Sequence, residues 1–213
     1  MSICPYLFFF LFYWIYHHNH NYELPKFFYH RILLIANRNL LIILFSLIYC
    51  KNLRDLAIFN WENYYNDLIN AHNDLRARHG SPALIRDKQL EKWAQETADE
   101  SMIAETLKSG ETYKEGKYVG INLYLGGGYS RTGKYVTEYW YSENRNYDYS
   151  TGNSKNGSPV SHFTQIVWKH TKKVGCAVSV GRWKIFSQSY YICCYYYPGG
   201  NLSGKYIENV GRP

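Results

Sequence analysis

From Trp61 onward the apolar positions follow two periods. Trp61, Tyr65, Leu68, His72 and Leu75 recur every third or fourth residue, the spacing of a helix with one buried face, and the pattern predicts a helix over Trp61–His79. Gly80 and Pro82 stop it. Asp87 is placed to cap a second helix from Lys88 to about Lys108, with Leu90, Ala94, Thr97, Ala98 and Met102 as its buried stripe and Gly110 as its end. Gly110 to Gly128 reads as loop, because the run Gly126-Gly127-Gly128 admits unusual backbone angles. A shorter helix is expected over Thr132–Glu143, followed by a polar, turn-rich stretch to Pro159. Val174–Val180 and Tyr190–Tyr197 are rich in β-branched and aromatic residues and read as strands, with a turn at Gly181-Arg182 between them. Helices first and strands last, without an internal repeat, predict an α+β fold.

The first part of the chain follows neither period. Residues 1–59 form a hydrophobic N-terminal extension, and residues 60–213 the domain. Ile3 to Tyr16 is almost wholly apolar, but as a helix it reaches only about 21 Å, short of a hydrocarbon core of about 30 Å. It also lacks a preceding Lys or Arg, the charged start of a secretory signal. Leu40 to Cys50 is a second apolar run, preceded by His30, Arg31 and Arg38, the order of a signal anchor. Two readings stay open: a signal anchor or membrane segment, or a start assigned too far upstream.

Composition narrows the function. Lys and Arg number 24 against 17 Asp and Glu, but they are scattered, and Lys169, Lys172 and Lys173 make only a small cluster. A nucleic-acid groove needs a dense basic stripe, so weak attraction to anionic membranes is the better expectation and no nucleic-acid partner is expected. The 23 tyrosines favour broad half-buried surfaces, since Tyr is apolar in its body and polar at its tip. The five cysteines, Cys4, Cys50, Cys176, Cys193 and Cys194, are few for a disulfide-stapled secreted domain. Adjacent Cys193 and Cys194 point to opposite faces of a strand, so both cannot join one partner.

Two segments carry the most specific signal: Ser161-His162-Phe163-Thr164-Gln165-Ile166-Val167-Trp168, and Tyr191-Ile192-Cys193-Cys194-Tyr195-Tyr196-Tyr197-Pro198-Gly199-Gly200-Asn201-Leu202. Together they resemble the two signatures of the CAP superfamily, which contains cysteine-rich secretory proteins, antigen 5 allergens and pathogenesis-related proteins. His72-Asn73-Asp74-Leu75-Arg76, Gly120-Ile121-Asn122-Leu123 and Trp140-Tyr141-Ser142-Glu143 resemble further segments of that family in the same order. The resemblance runs from about Asn60 to Pro213 and is nearest to the Golgi-associated, cysteine-poor branch. It implies a three-layer α-β-α sandwich, the CAP or SCP domain. Because Cys194 matches the second signature's cysteine, it also implies a Cys176–Cys194 disulfide if their strands are neighbours.

The resemblance further implies a cleft lined by two His and two Glu able to hold a divalent cation. Here Glu143 and His162 match. The second Glu falls on Ile121, and the other His falls near Ser109-Gly110, where there is none. One imidazole and one carboxylate leave half of a tetrahedral shell to water, so no metal and no cofactor are expected. Glu143 and His162 are expected to form a buried hydrogen-bonded pair holding the cleft walls. A carboxylate orienting an imidazole is also a base arrangement, but no motif supplies a nucleophile. His72 and Arg76, four apart on one helix face, are expected to bond the loops packed over them.

Tyr139, Trp140, Tyr141, Tyr147 and Tyr149 are candidates for an apolar lip around a lipid or sterol, ligands reported for the family. Asn156 and Asn201 head glycosylation sequons, which are used where the domain is lumenal or extracellular. The expected function is non-enzymatic binding of a lipid, sterol or membrane surface, or of a protein partner or second copy. The expected location is membrane-associated, at the Golgi or in the secretory pathway, or extracellular. The alternative is a Glu/His-based or cation-assisted hydrolase.

Overall fold

Helix α1, Trp61–Arg78, begins where Asn60 Oδ1 accepts the amide of Asn63 at 3.0 Å, satisfying one of the donors that a helix start leaves open. The computed structural model describes residues 60–127, 132–183 and 186–213. The two apolar runs of the extension, with Cys4 and Cys50, lie outside those residues. The buried stripe of α1 runs through Tyr65, Leu68, His72, Leu75 and Arg76, and Gly80 ends the element at a φ of 63°.

After β1 (Ile85–Arg86), Asp87 caps α2 by accepting from the amides of Gln89 and Leu90. Helix α2 spans Lys88–Ile103 and stops short of the expected Lys108. Ser101 causes the difference. The Thr106 amide turns back onto its carbonyl, the Lys108 amide donates to its Oγ, and Glu105 takes a φ of 51°. Local hydroxyl–backbone bonds of this kind compete with helix continuation.

The stretch expected to be loop is largely β. Tyr113–Lys114 (β2) and Lys117–Tyr118 (β3) form a hairpin around Glu115 and Gly116, both at positive φ, the geometry of a tight two-residue turn. Gly120–Gly127 (β4) then pairs along its length with the last strand. Its glycines serve close contacts. A Cβ on Gly120 would sit 1.8 Å from Gln165 Oε1, and one on Gly126 would sit 2.5 Å from the Tyr124 hydroxyl. Alternation was present in Ile121, Asn122, Leu123, Tyr124 and Leu125, but the flanking glycines concealed it.

Helix α3, Gly133–Tyr141, is capped by Thr132 and continues into a 3₁₀ turn over Ser142–Asn146. Short strands β5 (Tyr147–Asp148) and β6 (Asn153–Ser154) pair next, followed by the turn Lys155–Gly157 and helix α4, Ser161–Val167. Strands β7 (Lys173–Trp183) and β8 (Phe186–Tyr197) are longer than expected, and α5 (Tyr206–Asn209) closes the chain. Gly181 lies in the β7–β8 ladder opposite Ser189, and no turn forms there. Glycine is needed because a Cβ would come within 2.5 Å of Met102 Cγ on α2.

The main sheet has the order β1-β7-β8-β4, antiparallel except for β1 with β7. Cys193 and Tyr195 of β8 face α2 and pack with Leu90, Trp93, Ala94 and Ala98. Tyr196 faces the other way, toward α1, and so does Asn122 of β4, whose amide reaches α4. With both faces covered, β8 carries an unbroken buried run from Tyr190 to Tyr196. The result is the three-layer α-β-α sandwich that the resemblance implies.

Candidate functional site

The site is built on a buried polar platform. Arg76 is fully buried, and its guanidinium donates to four carbonyls: Pro82 O at 2.7 Å, Ile166 O at 2.7 Å, Trp168 O at 2.9 Å and Thr171 O at 2.8 Å. Loss of solvent lowers the guanidinium to about 10. One side chain thereby anchors the end of α4 and the approach to β7. Asn73 does similar work nearby, accepting the Leu84 amide at 2.7 Å and donating to the Leu84 carbonyl.

His72 is also fully buried. Its Nδ1 lies 2.9 Å from Leu68 O, which can only accept, so Nδ1 carries the proton and donates. Nε2 is then an acceptor for the Tyr196 hydroxyl at 2.8 Å. Asn122 donates through Nδ2 both to Tyr196 Oη at 3.2 Å and to His162 O at 3.1 Å. A chain of hydrogen bonds therefore runs from α1 through β8 and β4 to α4.

His162 sits at the start of α4. Its Nδ1 lies 2.7 Å from Glu143 Oε1, while Glu143 Oε2 accepts the amides of His162 at 2.9 Å and Phe163 at 3.2 Å. Glu143 thus closes the helix start that no local side chain caps and orients the imidazole with its other oxygen. The His162 ring stacks on Trp140 at 6.1 Å. Nδ1–H is given to Glu143, and the side chain is 32 % exposed, so the pair is only partly buried and not the buried pair expected. Replacing Glu143 by Ala is expected to cost about 1–2 kcal/mol, the worth of a cap with a charge-assisted bond. Thermal unfolding would show it, and an unchanged midpoint would deny Glu143 this role.

The two signature segments prove to be partners. Gln165 Oε1 accepts the Gly200 amide at 2.8 Å, its Nε2 donates to Thr171 Oγ1, and Thr171 Oγ1 donates to Pro198 O at 2.9 Å. Asn201 donates to Ser161 O at 2.9 Å and accepts from Thr164 Oγ1 at 2.6 Å. The Thr-Gln pair is therefore the clasp between α4 and the Gly199-Gly200-Asn201 turn.

The residues do not fit the cation site implied by the resemblance. Ile121 faces α2 among apolar residues, and Gly110 brings no side chain. Both Glu143 oxygens are engaged, and among the described residues no three His, Cys, Asp or Glu side chains come together. The cleft's own chemistry is that of one oriented imidazole.

The five aromatic candidates do not form one lip. Trp140 is fully buried with Nε1 donating to Leu123 O, and Tyr147 is core, so neither can present a surface. Tyr141 and Tyr149 gather with Phe163 around His79. Only Tyr139 is largely exposed, and its ring meets Tyr124 edge-on at 5.3 Å. Tyr135, one helical turn earlier, is exposed beside it. Cys176 and Cys194, opposite each other in the β7–β8 register, are joined in a disulfide. Cys193 is a buried free thiol on the α2 face, its pKa raised by burial.

His79, Asn122 and Tyr135 were missed from the sequence. His79 ties α1 to the chain's end through Gly211 O at 2.6 Å and to α3 through the Tyr141 hydroxyl at 2.8 Å. Only its place one helical turn beyond Leu75 hinted at burial. Asn122 had a signal, its position in Gly120-Ile121-Asn122-Leu123, but nothing in one strand announces a bond to a helix forty residues away.

Comparison with known proteins agrees with this architecture. The chain is 34 % identical over 154 residues to human (Homo sapiens) Golgi-associated plant pathogenesis-related protein 1, covering 71 % of this chain and 95 % of that protein. It is 32 % identical over 144 residues to pathogenesis-related protein 1A of Nicotiana tabacum, covering 68 % and 80 %. The solved structure of Schistosoma mansoni venom allergen-like protein 4 superposes with a TM-score of 0.50 at 20 % identity, over 68 % of this chain and 91 % of that one, a likeness of fold. The family model described as the cysteine-rich secretory protein family, CAP, matches residues 69–196, and the chain belongs to that family.

Proposed function

We propose that this chain is a non-catalytic CAP domain that binds lipid or sterol at a membrane surface through the outer face of α3. The observation that carries the reading is the pair Tyr135 and Tyr139, exposed on one face of α3 four residues apart, 39 % and 56 % accessible. Two exposed tyrosines on one helix face suit a boundary that is apolar on one side and wet on the other. The formal charge of +7 adds attraction to anionic headgroups. The engaged carboxylate of Glu143 supports the non-catalytic part, because both its oxygens hold α4. Golgi association, as the name of the human relative has it for that protein, belongs to the same proposal. Among the described residues no helix is long and apolar enough to cross a membrane.

Flotation of the protein with cholesterol-containing, phosphatidylserine-rich vesicles tests it. Tyr135→Ala with Tyr139→Ala is expected to weaken binding roughly tenfold, and His162→Ala to leave it unchanged. Equal binding by wild type and the double variant would refute the reading.

A hydrolase is the second reading, favoured by the partly exposed His162 imidazole that Glu143 orients. It requires ester or amide hydrolysis by pure protein that disappears in His162→Ala while the fold persists.

A further inference from the structure

We propose that Asn156 is a site of N-linked glycosylation and that the second sequon, at Asn201, stays unmodified. The proposal concerns a surface distinct from α3; it does not depend on lipid binding, but it rests on passage of the domain through the lumen of the secretory pathway. Both tripeptides satisfy the same pattern, Asn156-Gly157-Ser158 and Asn201-Leu202-Ser203, and the structure separates them.

Asn156 stands at the tip of the turn between β6 and the approach to α4. Its backbone is left-handed, φ 56° and ψ 26°, a conformation Asn tolerates better than most residues. The turn is closed from below by Ser154 Oγ donating to Ser158 O and by the Ser158 amide donating to Lys155 O at 3.1 Å. The side chain at the tip is therefore offered outward by a fixed frame. Asn156 is exposed, and a Cβ built on neighbouring Gly157 would meet nothing within 4 Å. A bulky group finds open solvent there. No contact of the fold runs through the Asn156 amide or the Ser158 hydroxyl among the described residues.

Asn201 shares the left-handed backbone, with a φ of 60°, but its side chain has the opposite setting. It is half-buried, and its carboxamide is used at both ends, Nδ2 to Ser161 O and Oδ1 from Thr164 Oγ1. These bonds fasten the first turn of α4, the turn that carries His162. On its other side the chain is pressed close: a Cβ on Gly200 would sit 2.8 Å from both Gln165 Oε1 and Trp168 Cγ. A sugar on Nδ2 would replace one of its two hydrogens and add bulk at a nitrogen already bonded to α4.

The chemistry is a glycosyl transfer. A bond forms between Asn156 Nδ2 and the anomeric carbon of an oligosaccharide. The anomeric C–O bond to a polyprenyl-diphosphate donor breaks, the diphosphate leaves with the bonding electrons, and Nδ2 gives up one proton. Donor and transferase belong to the lumen of the secretory pathway.

The test is expression of the full chain in a eukaryotic cell line, with gel mobility read before and after amidase removal of N-glycans. Two variants, Ser158→Ala and Ser203→Ala, remove one sequon each and leave both asparagines in place. Wild type and Ser203→Ala are expected to show one mobility step on deglycosylation, and Ser158→Ala none. A wild-type chain without the step, a step that survives Ser158→Ala, or one lost in Ser203→Ala would each overturn the proposal.

Discussion

Arg76→Ala is expected to lose about 4 kcal/mol of unfolding free energy, more than any surface change in this domain. The substitution removes the donor for four carbonyls at once, the buried ones of Ile166, Trp168 and Thr171 and the partly buried one of Pro82. A buried acceptor left without a partner costs about 1–3 kcal/mol, and water entering the gap recovers only part of it. Arg76→Lys should recover less than half, because an ammonium has no planar fork to reach acceptors on two sides. Urea titrations of the three proteins at neutral pH measure it. A loss below about 1 kcal/mol for Arg76→Ala would mean that the carbonyls find other donors and that the guanidinium does not organise the site.

The second large effect is acid sensitivity through His72. Burial lowers its pKa from the usual 6.5 to about 4, with the nearby charge of Arg76 acting in the same direction. The folded value lies below the unfolded one, so the unfolded chain binds the proton more readily. Stability is therefore complete above about pH 6.5 and is lost as pH falls toward 4. The full span is worth about 3 kcal/mol, most of it gone by about pH 4.5. Protonation has a structural consequence as well, since Nε2 would stop accepting from Tyr196, whose hydroxyl already accepts from Asn122. His79, also shifted downward by burial, adds to the trend. The measurement is therefore a difference between proteins. His72→Gln should be less stable than wild type at pH 7 but lose clearly less between pH 7 and 4.5. Parallel curves for the two proteins would rule out His72 as the titrating group.

The helices were legible because their signals are local. Asn60, Asp87 and Thr132 each cap the helix that follows, and the buried positions of α1 and α2 repeat at helical spacing. Strands β7 and β8 were visible for the same reason, through their β-branched and aromatic content. Strand β4 was not, because what makes Gly120 and Gly126 necessary is a side chain lying over each, Gln165 and Tyr124. The turn expected at Gly181 failed for a related reason, since its missing side chain makes room for Met102. Glycine reports that space is short, and sequence alone does not say whether a turn or a neighbour takes it. In the site, Glu143 and His162 were placed by motif, and the structure brings them within 2.7 Å. Their engagement with backbone amides depends on how α3 meets α4, which no spacing within either helix encodes. The dispersal of the aromatic group has the same origin: Tyr139 and Trp140 are neighbours in sequence, yet one is exposed and the other is core.

Gly110 lies in the Ser109-Gly110 stretch near which the resemblance looks for the cleft's second imidazole. A Cβ there would lie 2.3 Å from the Tyr195 hydroxyl, which is held by Thr97 Oγ1 at 3.1 Å while its ring is buried against Trp93. A histidine introduced there would meet an occupied position, and Tyr195 would have to give way first, so a second imidazole at the cleft requires repacking between α2 and β8 as well as one substitution.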